Sequence, residues 1–157
     1  MQAKPISESR VMLTQMMGVQ DANNLGNVHG GIIMKLCDEA GGIAAAKHAR
    51  RPAVTVTVDS MTFLNPVHIG DLLTVEAEVT WAGRTSLETR VVVTTENVLS
   101  GVVTHTNTAY FVYVALDDNG RPAPVPPLIC ETEAERVRYA AAEARRARRL
   151  REAQREA

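Results

Sequence analysis

The chain has 157 residues, a formal net charge of −1, 45% hydrophobic and 22% charged residues, which suits one domain with a sizeable core and gives no overall attraction to nucleic acid or an anionic membrane. Aromatics make up only 4%, so the core must come from Val, Leu, Ile, Ala and Met. No apolar run reaches the ~18 residues of a membrane span.

Met1 to Arg10 lacks the basic-then-apolar pattern of a secretory signal. Cys37 and Cys130 fit a reducing compartment better than a disulfide framework. A cytoplasmic protein is expected, with Cys37 as a buried structural thiol. His29, His48, His68 and His105 show no metal-ligand spacing, so no metal is expected.

In chain order, residues 9–18 read as a first strand or extended arm. Asp21-Ala-Asn-Asn-Leu-Gly-Asn-Val-His-Gly-Gly31 is a loop that needs unusual backbone angles. From Gly30 to about Ala49 the period is helical, with Ile32, Leu36, Ala40 and Ile43 at steps of four and three, as with Ile33, Cys37, Ala40 and Ala44. The helix is apolar over much of its surface, so it should be largely buried. Cations at Lys47 to Arg51 suit its C-terminal end, and Pro52 stops it.

Beyond Pro52 the period drops to two. Strands are predicted over Val54–Val58, Leu73–Trp81, Leu87–Asn97 and Val102–Leu116, divided by turns at Asn65-Pro66, Gly70-Asp71, Gly83–Ser86 and Ser100-Gly101. Strands of about ten residues form a sheet that must curl, and one buried helix is available to fill its concave face. The expected fold class is α+β, an antiparallel sheet wrapped around a central helix and oligomerising edge to edge. Eight arginines and six glutamates give Glu131–Ala157 a net charge of +2, leaving −3 for the rest. The tail is expected to be a solvated, partly frayed helix, the alternative being that Arg145, Arg146, Arg148 and Arg149 meet an acidic partner or nucleic acid. The boundaries expected are a domain over 1–128 and a helical tail over 129–157.

Three features bear on chemistry. Asp38 is a carboxylate on a mostly apolar helix, with Gly41 and Gly42 one turn on. Each glycine costs about 1 kcal/mol against alanine in a helix interior, so a neighbouring helix or a ligand is expected close to the backbone there. Asp38 either faces solvent with Glu39 or is partly desolvated, as suits a general base or nucleophile. At the helix start, Gly30 and Gly31 either form a tight turn or offer free N–H groups to a substrate oxyanion. From Gly31 to Asp38 is about 10 Å along a helix, too far for one carbonyl to reach both. Two antiparallel helices in a dimer remove that difficulty. Finally, Gly83, Arg84, Thr85 and Ser86 form a turn whose N–H groups, hydroxyls and guanidinium suit a phosphate.

The loop and helix motif, with Met34-Lys-Leu-x-Asp-Glu-Ala-Gly41, resembles the acyl-CoA thioesterases of the brain acyl-CoA hydrolase type and their single-domain bacterial relatives. Val58-Asp-Ser-Met-x-Phe63, Pro66-Val-x-x-Gly-Asp71, Gly83–Ser86, Phe111-Val-x-Val114 and Asn119-Gly-Arg-Pro-x-Pro-Val-Pro126 carry the resemblance from about Arg10 to Leu128. It implies a hotdog fold and hydrolysis of acyl-CoA to free acid and CoA. No cofactor is implied, since CoA belongs to substrate and product. By motif position the functional pair falls on Asn23, next to Asn24, and Asp38. Gly30 and Gly31 would hold the thioester carbonyl, Arg84, Thr85 and Ser86 the CoA phosphates, and Val58, Asp59, Ser60 and Met61 would line the pantetheine tunnel. A homodimer would carry two sites, each drawing on both subunits, and a trimer of dimers is the favoured assembly. A hotdog dehydratase using His29, a non-catalytic acyl-CoA sensor and an acyl transferase are the alternatives.

Overall fold

The computed structural model describes residues 1–157. A short strand, β1 (Lys4–Pro5), precedes β2 (Val11–Met16), helix α1 (Gly30–Ala49), and the long strands β3 (Ala53–Met61), β4 (Leu72–Ala82), β5 (Ser86–Glu96) and β6 (Val103–Ala115). The chain ends with β7 (Leu128–Ile129) and helix α2 (Glu133–Glu156). β2 to β6 form one antiparallel sheet in the order β2-β4-β5-β6-β3. β1 and β7 make a separate parallel pair that ties the N-terminus to the segment before α2.

Helix α1 begins where the sequence predicts. His29 is extended, and its ring Nδ1 accepts the Gly31 N–H at 2.8 Å, capping the helix. The helix ends at Arg50, which adopts the left-handed conformation at φ 53°. Ile33, Cys37, Ala40 and Ala44 are buried against Leu73, Val75, Val91, Val93 and Phe111. Alanines on this stripe let the helix approach the sheet closely, and each buried Val, Leu or Phe contributes about 1.5–3 kcal/mol. The sheet-around-helix architecture is as expected.

β2 and β3 are the edges of the sheet. β3 pairs only with β6, through two register shifts, and leaves Val54, Val56 and Val58 exposed along an open edge. Such an edge favours pairing with a second copy.

Two expectations are overturned. The tail is a helix, but it is docked rather than solvated. It opens with a capping box, in which the Glu135 N–H donates to Thr132 Oγ1 and the Thr132 N–H to Glu135 Oε2. It then crosses the sheet face opposite α1, burying Ala142. Arg145 forms a two-pronged ion pair with the buried Glu88 at 2.8 and 3.0 Å, and its guanidinium lies 3.7 Å above the Tyr110 ring. Arg148 and Arg149 each reach Asp59 at 2.5 Å. Trp81 joins this face, because a register shift after Val79 takes it out of the core alternation and under Arg146.

The second correction concerns Gly41. A Cβ there would stand 2.6 Å from the Tyr113 hydroxyl and 2.8 Å from Thr89 Oγ1. Side chains of the molecule's own sheet therefore demand this glycine, not a second helix. At Gly42 the nearest atom is a Tyr113 ring carbon at 3.6 Å, an ordinary contact.

Candidate active site

Asp38 sits mid-helix, half-buried, at the rim where α1 meets β3 and β6. Its Oδ1 accepts a hydrogen bond from Thr55 Oγ1 at 2.6 Å, and the Tyr113 hydroxyl lies 3.0 Å from the same oxygen. That hydroxyl is also 3.0 Å from the Asp38 backbone carbonyl. Thr55 and Tyr113 are cross-strand partners on β3 and β6, so their hydroxyls arrive side by side. Oδ2 has no hydrogen-bond partner within the chain, and Asp38 lines an open cleft with Gly42, Ile43, Ala46 and Ala53. Asp38 and Glu39 are the only carboxylates lining it, and no cation does.

Two groups beside Asp38, Tyr113 and Cys37, are held in their protonated forms. Burial, then the Asp38 charge and its hydrogen bond, raise Tyr113 above the ordinary phenol range, so it stays a donor. Cys37, behind Asp38, is pushed up to about 12, chiefly by burial, which makes it an unreactive thiol. No cluster of three His, Cys, Asp or Glu side chains is arranged to hold a metal.

Asn23 lies in the loop before α1. Its Oδ1 accepts the N–H groups of Leu25 at 2.8 Å and Asn27 at 3.2 Å, and its backbone N–H donates to the Asn27 carbonyl at 2.7 Å. The amide oxygen thus shapes the loop, and the NH2 group makes no hydrogen bond within the chain. At the helix start the expected pair of donors is reduced to one: the Gly31 N–H is occupied by His29, while the Gly30 N–H makes no bond within the chain. The Phe63 ring lies 3.6 Å from where a Gly30 Cβ would be.

The Gly83–Ser86 turn is at the same end of the sheet as Asp38. Ser86 pairs with Val114, and Leu87 with Tyr113, the neighbouring row that also contains Thr55. The Gly83 N–H closes the turn on the Ser86 carbonyl at 2.8 Å, and the carbonyls of Arg84 and Thr85 accept the N–H groups of Val125 and Ala115. The Arg84 side chain is exposed. Gly83 also has a packing reason, because a Cβ there would lie 2.5 Å from the Trp81 ring.

Of the four β3 residues expected along the tunnel, Val58 and Ser60 are exposed and Met61 packs against the core. Asp59 departs from expectation: its carboxylate is buried under Arg148 and Arg149 on the opposite face. Burial alone would raise its pKa, but the hydrogen bonds from the two guanidiniums outweigh that and hold it below the ordinary value. Thr55 and Tyr113 were not singled out from sequence. Thr55 reads there as one polar position in an alternating strand, and Tyr113 as the variable position of Phe111-Val-x-Val114.

Residues 25–102 match the family described as the Thioesterase superfamily. The chain is 40% identical over 128 residues to an uncharacterized acyl-CoA thioester hydrolase of Bacillus subtilis, covering 82% of this chain and 74% of that protein. It is 36% identical over 136 residues to the cytosolic acyl coenzyme A thioester hydrolase of Rattus norvegicus, covering 85% of this chain but 36% of that longer protein. The structure matches the crystal structure of an apo-hexameric acyl-CoA thioesterase with a TM-score of 0.94 and 37% identity, over 98% of both chains. It also matches an acyl-CoA hydrolase from Staphylococcus aureus, solved in complex with butyryl coenzyme A, coenzyme A and coenzyme A disulfide. There the TM-score is 0.87 and the identity 35%, over 97% of this chain and 95% of that one. Coverage of 98% takes in α2. The chain belongs to the thioesterase superfamily, as a hotdog-fold member of the acyl-CoA thioester hydrolases.

Proposed function

We propose that the protein hydrolyses acyl-CoA thioesters in a site built from two subunits, with Asp38 as the base. The observation that carries this reading is the Asp38 carboxylate itself: it lines an open cleft, with Oδ1 held by two hydroxyls and Oδ2 unbonded within the chain. Structures of the Staphylococcus aureus acyl-CoA hydrolase include variants in which an asparagine, an aspartate and a threonine are replaced by alanine, at positions 15 and 17 residues apart. Asn23, Asp38 and Thr55 are separated by the same 15 and 17 residues.

In this mechanism Asp38 Oδ2 takes a proton from water as the water oxygen attacks the thioester carbonyl carbon. The carbonyl oxygen becomes an oxyanion, held by the Gly30 N–H and the Asn23 side-chain NH2 of the partner subunit. The intermediate collapses, the C–S bond breaks, and the proton on Asp38 passes to the leaving CoA thiolate. Along α1, Gly30 and Asp38 are about 12 Å apart, which favours donors and base from different subunits. Arg84, Thr85 and Ser86 hold the CoA phosphates, and Val58, Ser60 and Met61 line the pantetheine path. The open β3 edge supports a dimer, and hexameric relatives support a trimer of dimers. Two free cysteines fit a reducing, cytoplasmic setting. His29 is occupied as the helix cap, which weighs against a dehydratase using it as its base.

The test is thiol release from an acyl-CoA chain-length series by wild type and Asp38→Ala, with oligomeric state checked in both. Turnover in wild type that falls by about 10²–10⁴-fold in an intact Asp38→Ala supports the reading. Tight binding without turnover at any chain length would replace it with an acyl-CoA sensor.

A further inference from the structure

We propose that Tyr113 is a positioning residue for Asp38, and that Gly41 is glycine because the Tyr113 hydroxyl occupies the space of its side chain. This rests on Asp38 being the catalytic carboxylate. The Tyr113 ring already has a structural place, stacked on Phe111 with centroids 6.3 Å apart. A phenylalanine would fill that place equally well. What tyrosine adds is one hydroxyl, 3.0 Å from Asp38 Oδ1.

That hydroxyl completes a two-point clamp. Thr55 Oγ1 reaches Oδ1 from β3 and Tyr113 reaches it from the adjacent β6. With one carboxylate oxygen fixed by two donors from a rigid sheet, the carboxylate's rotation is restricted and Oδ2 is left unbonded beside the cleft. Without Tyr113, Asp38 keeps one donor and can rotate about it. The clamp needs a helix position with no side chain, three residues after Asp38. Alanine at Gly41 would put its Cβ 2.6 Å from the hydroxyl and displace it.

The experiment compares wild type, Tyr113→Phe, Gly41→Ala, the double variant and Asp38→Ala for thiol release from an acyl-CoA substrate, with thermal midpoint and oligomeric state recorded for each. Tyr113→Phe is expected to lower kcat about 10- to 100-fold and leave KM within about twofold. Gly41→Ala should do the same, and the double variant should be no slower than the slower single, because both remove the same hydrogen bond. A wild-type kcat in a folded Tyr113→Phe would overturn the proposal, as would multiplied losses in the double variant. If Asp38→Ala is itself active, the underlying catalytic reading fails. If Asp38→Ala is inactive and Tyr113→Phe is normal, only the positioning role fails.

Discussion

Arg149 on the C-terminal helix meets Asp59 on the edge strand at 2.5 Å across a separation of 90 residues. Around this pair Arg148, Arg145, Glu88 and Thr80 form a network that fastens α2 to the sheet. Two acids that alternate outward from their strands are thereby buried, each by guanidiniums from the tail.

The network makes α2 part of the domain's stability. Arg145→Ala leaves the buried Glu88 with the Thr80 hydroxyl at 2.8 Å and Arg149 at 3.8 Å. The expected loss is about 2–4 kcal/mol, because an incompletely paired charge stays buried. Replacing Glu88 and Arg145 together by leucine should cost less than Arg145→Ala alone. Urea unfolding of the three proteins measures both. A loss under about 0.5 kcal/mol for Arg145→Ala would mean that α2 is docked by packing alone.

His48 lies near the end of α1, buried, with Nε2 2.8 Å from the Pro126 carbonyl and Nδ1 without a partner. Burial holds its pKa below the ordinary 6.5; the Pro126 hydrogen bond offsets this in part, and Lys4 lowers it further. The unfolded chain thus binds a proton at a higher pH than the folded one does. The stability this group contributes is fully present above 6.5 and is lost as pH falls from there toward the depressed folded value. Unfolding midpoints taken from about pH 7.5 to about pH 5 should fall more steeply in wild type than in His48→Gln. Parallel slopes would contradict the assignment.

Thr55 supplies the shortest hydrogen bond to Asp38, at 2.6 Å. Thr55→Ala should lower kcat about 10- to 100-fold in a protein whose oligomeric state is unchanged. Thr55→Ser, which keeps the hydroxyl, should recover most of the rate. Equal losses in both variants would assign Thr55 a packing role, and steady-state kinetics distinguishes the two outcomes.

The main elements were legible because their hydrophobic periods are clean. Ile33, Cys37, Ala40 and Ala44 mark the buried stripe of α1, and Leu73, Val75, Ala77 and Val79 the inner face of β4. Asp38 was legible as a carboxylate out of place on an apolar helix. Its support was not. Tyr113 lies 75 residues away and reads as an ordinary strand aromatic until the sheet sets it against the gap at Gly41. At Gly41 the spacing marks a close approach, but it shows that room is needed and not that the Tyr113 hydroxyl fills it. The tail misled for a related reason: Glu88 and Asp59 look solvent-facing in a two-residue alternation, and their burial depends on a helix that begins more than 40 residues after Glu88. Trp81 changed faces through a register shift that no local sequence signal marks.

Subunit complementation tests the shared site most directly. Asn23→Ala and Asp38→Ala chains, each inactive as homo-oligomers, are unfolded together, refolded at equal ratio and assayed for thiol release. If each site takes Asn23 from one subunit and Asp38 from the other, random pairing makes half the dimers mixed, each with one intact site. About a quarter of wild-type activity should return. If the mixture stays as inactive as its components while mixed dimers form, each site lies within one chain and the two-subunit account is wrong.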